Sequence, residues 1–481
     1  MTPPRPPQAL RLPVAAGFLL SLLGAALLSH VGWRYRLDRV ACAAWPSLSQ
    51  NLGAAALFVV AVALLGAGWL WLLRRCQSAA PPPVWQILLA ALAVYFVAAL
   101  GPPALSEDPL FYAAIGRVQA EYAASPAQPL CQILPSDDAL LLRLIPHWRC
   151  GRSPYQPGFD RVAWLIASAA RGDLLGILRG FQIVAAVCLL LAGGLIALAL
   201  RGSGMAPSYG AALVVLNPLA VIEGPASAHN DAWLALATSG FALAWQRRSG
   251  MGLLLSLGAG FMVKSSSLLL VFLLAGALLL RRLAPRLNGS RARRCLRLGL
   301  PLFVAVLLLA AGTWLYVARP EALFGPRHLR WEHCTRSLEC LPRSLLRAIL
   351  HQPQAAFAVA VGFRLLSLGW LLYAAWRASR EPGGPLPWLG AGLLIYFLYL
   401  HPWSQSWYLL SLLPLAPWLH PSLHAALRAV SISAAAYYAL VLIGNCLVDD
   451  LAVASFDLAE ALIVLLPPSL YLLRKPVPRL A

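Results

Sequence analysis

Apolar residues along this chain come in blocks long enough to cross a bilayer. They lie at about 12–29, 53–73, 84–102, 174–200, 207–223, 231–246, 251–280, 298–317, 354–376, 387–401, 406–419, 426–445 and 456–473. Short turns rich in Arg, Pro and Gly divide them. A spanning helix needs roughly 20 apolar residues, whereas strands of a membrane barrel would alternate in polarity, which these blocks do not. The pattern predicts an all-α polytopic membrane protein with one membrane domain over residues 1–481. The first block follows Arg5 and Arg11, as a signal peptide would, but no convincing small-residue cleavage site comes after it, so it reads as the first span.

The block 251–280 is long for a single span and carries Lys264 near its middle. Two short helices meeting near Lys264 fit it, as does one long tilted helix. Charge placement separates the two, because basic residues at loop ends stay on the cytoplasmic side. With the N-terminus inside, that side receives Arg74 and Arg75, Arg201, Arg247 and Arg248, the seven Arg between 281 and 297, Arg377 and Arg380, and the tail Arg474, Lys475 and Arg479, provided that 251–280 is a hairpin. The hairpin gives about 14 transmembrane helices. It also leaves two long loops, 103–173 and 318–352, on the outer face, where interfacial helices are expected and where 16 of the 18 acidic residues gather on or near the surface.

Composition removes the alternatives to lipid. Sixty per cent of the residues are hydrophobic, 12% are charged and the mean hydropathy is +0.71, more apolar surface than a water-soluble fold of this length could hide. The net charge of +20 is dispersed among the apolar blocks and forms no basic domain, which argues against a nucleic-acid partner and for membrane topology. Lysine occurs only at Lys264 and Lys475. On the predicted topology six cysteines face an oxidising side. Cys131 with Cys150, and Cys334 with Cys340, are the disulfide candidates, and neither pair has zinc-type spacing.

The outer loops hold the candidate chemistry. In the first, Phe111, Ile115, Val118 and Tyr122 recur at helical spacing and predict an interfacial helix with one apolar face. Asp108 before Pro109 reads as a helix cap, or as a carboxylate that takes a proton from an acceptor hydroxyl; Glu107 is the alternative for either role. His229-Asn230-Asp231, close behind Glu223, reads as a polar turn capping the next helix, or as a group that grips sugar hydroxyls, assists proton transfer or holds a divalent cation. Two ligands alone do not make a metal site, and nothing in the sequence requires a cofactor.

Lys264 costs about 3 kcal/mol within an apolar run unless it is paired or snorkels to the interface. Its functional reading is neutralisation of a donor phosphate, with Ser265, Ser266 and Ser267 as added donors. Arg117 is a second phosphate candidate, or a contact to lipid headgroups. His401, Trp403, Trp407 and Tyr408 form an aromatic belt at an outer boundary, or a surface on which sugar rings stack. The charged residues of 318–352, including Glu339 and Arg343, read as solvated or salt-bridged surface, some of them lining an acceptor groove.

In order along the chain stand Ser106-x-Asp108-x-x-x-Tyr112-x-x-x-Gly116-Arg117, Leu216-Asn217-Pro218-Leu219, Gly224 through His229-Asn230-Asp231, Val263-Lys264, and His401-Pro402-Trp403 with Trp407-Tyr408-Leu409-Leu410 and Pro414. This series resembles the GT-C superfamily, in particular the bacterial polyprenol-phosphate-mannose-dependent mannosyltransferases. The resemblance implies a multi-spanning glycosyltransferase with Asp108 as catalytic base. It departs from the family at Pro109, and Ser153-Pro154-Tyr155 arrives late, after an insertion containing Asp137 and Asp138; these differences bear on the acceptor.

The expected reaction moves a hexose, mannose foremost, from a polyprenyl-phosphate sugar donor to a glycan or glycolipid acceptor, with inversion. Lys264 or Arg117 holds the phosphate, and Tyr112, His229, Asn230, Asp231 and the aromatic group hold substrate. The expected place is the bacterial plasma (inner) membrane, active site outward. A transporter or flippase is the alternative from another class, Arg364 within a span being its best support.

Overall fold

A computed structural model describes residues 11–34, 48–103, 105–144, 146–283, 338–344, 346, 353–401, 404–444 and 450–474. The predicted span at 298–317, most of the second long loop, Trp403 and Cys334 lie outside the described residues. The N-terminal helices are α1 (Arg11–Arg34), α2 (Leu48–Cys76), α3 (Val84–Ala98), α4 (Asp108–Tyr122), α5 (Ala139–Arg143), α6 (Pro146–Arg149), α7 (Pro157–Ala170) and α8 (Leu174–Ala199). Then follow α9 (Pro207–Val215), α10 (Pro218–Val221), α11 (Asp231–Gln246), α12 (Gly250–Phe261) and α13 (Leu268–Leu283). The C-terminal part contributes α14 (Cys340–Ser344), α15 (Pro353–Arg380), α16 (Leu386–Ile395), α17 (Pro421–Ala436), α18 (Tyr438–Gly444) and α19 (Asp450–Arg474). No strand occurs among the described residues.

Five of the described helices are long and apolar enough to cross a membrane, and α9 with the segment 218–226 makes a sixth, bent by 49°. Lipid tails are as apolar as the side chains, so helix association here rests on close packing rather than on burial from water. The α1–α2 pair shows how. A Cβ at Gly68 would stand 2.6 Å from Gly17 O, and one at Gly24 would stand 2.8 Å from Ala61 O. Small residues let the two backbones touch.

Several apolar blocks are broken, one of them, 251–280, at the lysine where the hairpin reading expects it. Pro218 cannot donate, so α9 ends with free carbonyls. Tyr95 Oη donates to one of them, Val215 O, at 2.6 Å, and Trp69 Nε1 adds a hydrogen bond of 3.1 Å to Ala212 O, which also accepts from Leu216 N–H. Asn217 then caps α10, its Oδ1 accepting from Leu219 N at 2.9 Å. The block 251–280 is likewise interrupted: α12 stops at Phe261, Lys264 is extended, and a short 3₁₀ turn leads into α13. The first turn of α7 satisfies the carbonyls freed there, with Gln156 N–H donating to Val263 O (3.2 Å) and Phe159 N–H to Met262 O (3.1 Å). Two broken helix ends complete each other.

The block 406–419 is a 3₁₀ helix, Ser406–Trp418, with Pro414 and Pro417 inside it. Thirteen residues rising about 2.0 Å each reach ~26 Å, nearly the depth of the hydrocarbon core. Irregular backbone survives at such depth only where protein encloses it, and Tyr408 to Leu410 and Leu412 to Ala416 are buried.

The first long loop, 103–173, is a small folded unit with its own core. Leu110, Phe111, Ile115, Leu130, Leu140, Phe159 and Phe181 pack together around α4, α7 and the start of α8. Cys131 and Cys150 form the expected disulfide across it. Where sequence periodicity gives α4 one apolar face, the structure buries every residue from Pro109 to Gly116. The cause is close docking on α7: a Cβ at Gly116 would lie 2.4 Å from Ala163 O. Cys340 is disulfide-bonded. Glu339 and Arg343 are not surface residues. Glu339 is fully buried and pairs with Arg343 and with Arg364 of α15, both at 2.6 Å.

Candidate active site

Three interrupted segments, around 222–230, at Lys264 and from Ser406, converge beside α4 of the folded loop, and together they deliver polar side chains to one buried cluster. Asp108 does not cap α4. Glu107 occupies the cap position without a side-chain cap, and the Asp108 N–H donates to Ser106 Oγ at 3.2 Å. The Asp108 carboxylate is thereby left to face inward. Its Oδ2 accepts from Tyr112 Oη, one turn along, at 3.4 Å and lies 3.9 Å from His229 Nε2. Burial pushes the Asp108 carboxyl above the usual carboxylate range, while His229, Lys264 and the Tyr112 hydroxyl pull it back. A carboxylate raised in this way is a stronger base than one in water.

His229 is fixed in both plane and edge. Its ring stacks on Trp407, with centroids 4.2 Å apart and planes 20° from parallel. Nδ1 meets Glu223 Oε2 at 2.9 Å. The approach is made by a π-helical turn, Ile222–Ala226, that contains Pro225, followed by Ala228 at φ 59°. A non-glycine residue in that region carries local strain of order 1 kcal/mol, held only because the surroundings fix it. Burial opposes the protonated imidazole, but the close Glu223 carboxylate and the charges of Asp108 and Asp231 outweigh it and hold the His229 pKa above its ordinary value.

Lys264 does not snorkel. Its Nζ donates to Asp231 Oδ2 at 2.8 Å and sits 4.6 Å above the centre of the Tyr408 ring. Asp231 begins α11, and its carboxylate is committed to the lysine rather than to capping. Beside this pair, Asn230 is almost wholly buried, and neither atom of its amide has a partner; Ser227 Oγ and Asp231 Oδ1 are unpartnered as well. Buried polar atoms in native proteins nearly always find hydrogen bonds, so these are groups prepared for a polar ligand.

The structure thus joins Asp108, Tyr112, His229, Asn230, Asp231, Lys264, Trp407 and Tyr408. His401 stands at the margin, its ring against Tyr396, Phe397 and Tyr408. Arg117 is not brought in. It lies nine residues along α4 from Asp108, about 13 Å at 1.5 Å per residue, and pairs with Glu121 at 2.8 Å and Asp138 at 3.3 Å.

Sequence reasoning gave no role in the site to Glu223, Ser406, Tyr438 or Tyr155. Glu223 is fully buried and receives hydrogen bonds from Ser406 Oγ and, at 3.0 Å, from Tyr438 Oη. Tyr155 packs edge-on to Tyr112 with centroids 5.4 Å apart. Glu223 was the findable one, since an acid ending an apolar block marks a functional site on cost alone. The two C-terminal partners carry no such signal. Among the described residues no group of three His, Cys, Asp or Glu side chains is arranged to hold a metal ion.

The model of the MptA_B family, described as alpha-(1->6)-mannopyranosyltransferase, N-terminal domain, matches residues 14–281, more than half of the chain. The matched span holds Asp108, Glu223, His229, Asp231 and Lys264 and ends before Trp407 and Tyr408. No curated protein and no solved structure matches the chain. An all-α membrane protein in which the cluster's carboxylates Asp108, Glu223 and Asp231, its histidine and its lysine all fall within that match belongs to the alpha-(1->6)-mannopyranosyltransferase family, and is a mannosyltransferase of the GT-C type.

Proposed function

We propose that this protein transfers mannose from a polyprenyl-phosphate donor to a hydroxyl of a glycan or glycolipid acceptor, at the outer face of a bacterial plasma membrane and with inversion. The observation that carries the reading is the placing of a raised carboxylate, Asp108, in the field of a membrane-depth lysine, Lys264, at a cluster with unpartnered polar groups. In the step, Asp108 takes the proton of the acceptor hydroxyl as that oxygen bonds to the anomeric carbon. The bond from that carbon to the phosphate oxygen breaks, and its electron pair leaves with the phosphate. The Lys264 ammonium offsets the growing charge. Asn230, Ser227 and the free oxygen of Asp231 hold sugar hydroxyls, with Tyr112, Trp407 and Tyr408 as walls.

The outward orientation draws on two supports. The Cys131–Cys150 disulfide lies in the same folded loop as Asp108, which fits an oxidising compartment, and the Arg-rich loops belong on the opposite side. A scaffold of about 14 spans, with the shorter apolar helices paired across breaks, belongs to the same proposal. Bent helices are also the mark of transporters, but the family is one of transferases.

The test is transfer of radiolabelled mannose from polyprenyl-phosphate mannose in membranes holding wild type or Asp108→Asn. The variant should lose activity by 10²–10⁴-fold, the usual contribution of a general base, while reaching the membrane in equal amount. Equal activity in the two removes Asp108 as base. Transfer from a nucleotide sugar by purified protein, with none from the lipid donor, overturns the donor assignment.

A further inference from the structure

Glu223 is held within the cluster by several partners, yet none of its hydrogen bonds or ion pairs is to Asp108. It is fully buried and is met from three directions: by His229 Nδ1 at 2.9 Å, by Tyr438 Oη of α18 at 3.0 Å, and by Ser406 Oγ at the start of the 3₁₀ helix. Its backbone carbonyl also accepts from His229 N–H at 2.9 Å. The same residue therefore fixes both the main chain and the ring of His229. Trp407 fixes the ring plane, and the Nε2 edge is left toward Asp108, 3.9 Å away.

Charge gives this arrangement a purpose. With a neutral imidazole the cluster would set three carboxylates, Asp108, Glu223 and Asp231, against the single ammonium of Lys264. An anionic donor would meet a net repulsive site, and a buried Asp108 would tend to keep its proton. An imidazolium restores near balance. A carboxylate held against the far nitrogen of a histidine, as Glu223 is at 2.9 Å, orients the ring and stabilises its cation, as the aspartate of a hydrolase triad does.

We infer that Glu223 is a positioning residue for mannosyl transfer, acting through the His229 imidazolium to keep the Asp108 carboxylate ready to receive the acceptor proton. The inference rests on the assignment of Asp108 as base. The groups facing His229 are Asp108 from α4, Glu223 from the π-helical turn, Asp231 from α11 and, through Asp231, Lys264; Tyr438 and Ser406 hydrogen-bond to Glu223 rather than to His229. Losing the Glu223 charge releases the imidazole proton, and the support this gives Asp108 is lost with it. The acid limb of the rate profile then moves to higher pH.

The experiment compares Glu223→Gln, Glu223→Asp, His229→Gln and the double variant Glu223→Gln/His229→Gln, each as full-length protein in membranes, with polyprenyl-phosphate mannose as donor. Glu223→Gln should lower kcat by 10-fold or more with donor KM within about twofold, and should move the acid limb upward. Glu223→Asp, which keeps the charge, should recover part of the rate. In the His229→Gln background, Glu223→Gln should cost nothing further, because residues acting as one unit do not add.

An unchanged kcat for Glu223→Gln overturns the inference, as does an equal loss in both backgrounds. Should Glu223→Gln fail to reach the membrane, Glu223→Asp decides alone: a reduced kcat at unchanged KM supports the inference and a full kcat overturns it. Asp108→Asn keeps the two readings apart. Full activity there defeats the assignment of the base, whereas its loss beside an unaffected Glu223→Gln defeats only the role of Glu223.

Discussion

The α1–α2 pair and the cluster around Lys264 are built from the same apolar sequence by opposite means. In the pair, long uninterrupted helices satisfy their own backbones, and Gly17, Gly24 and Gly68 bring them into contact. At the cluster, helices stop at Pro218, turn π-helical at Ile222–Ala226, break at Lys264, and continue as 3₁₀ helix from Ser406. Every break frees backbone groups that must be satisfied elsewhere, and every break here places a polar side chain. Regular helices supply the scaffold. Interrupted ones supply the chemistry, at a cost in stability that the scaffold absorbs.

The sharpest way to break that contrast, after Asp108→Asn, is Lys264→Met. Removing the ammonium should lower mannosyl transfer by 10²–10³-fold, the scale of a lost electrostatic stabiliser, and should also destabilise the protein by leaving Asp231 buried and unpaired. Adding Asp231→Asn should restore thermal stability in detergent without restoring activity. Recovery of both together would mean that the pair is only structural.

Gly68→Leu probes the other side of the comparison. Its side chain would collide with Gly17 O and Ser21 of α1, and overpacking of this kind costs about 1–3 kcal/mol. Thermal unfolding should come at lower temperature, with the activity of the folded fraction unchanged. A selective loss of kcat would tie α1–α2 to the site and blur the division.

The smallest effect concerns Asp160 of α7, in the folded loop that steadies the break at Lys264. Burial pushes its carboxyl up to about 7, partly opposed by the hydrogen bond from Ser153 Oγ at 2.6 Å. The folded state then holds a proton that the unfolded chain releases near its ordinary pKa of 3.8. Stability should therefore fall as pH rises from about 4 through 7 and level off above that. Asp160→Asn should flatten the slope, measured as melting temperature against pH; an unchanged slope would place its origin elsewhere.

Much of this was legible in local sequence. Block lengths, basic loop ends and low charge lead to a membrane protein of helices, and the ordered motifs lead to a GT-C mannosyltransferase. The lysine amid apolar residues marks the interruption at Lys264, and an expected oxidising side made Cys131–Cys150 one of two candidate bridges. Arg117 and Asp108 each carried two readings for a shared reason. What a charge on a helix does is open in sequence until its contacts are known: Arg117 pairs with Glu121 and Asp138, while Asp108 gives only its N–H to Ser106 and keeps its carboxylate out of capping.

Periodicity, hydropathy and charge are properties of neighbours in the chain, so the sequence by itself determined the solvent, the helices and the family. Tertiary structure alone decided that Glu223 would meet Tyr438, that Trp407 would stack on His229, and that Asp108 would turn inward. Those contacts join segments more than 100 residues apart, and only packing, which must satisfy every backbone group freed by a break, chooses among the partners that local chemistry leaves open.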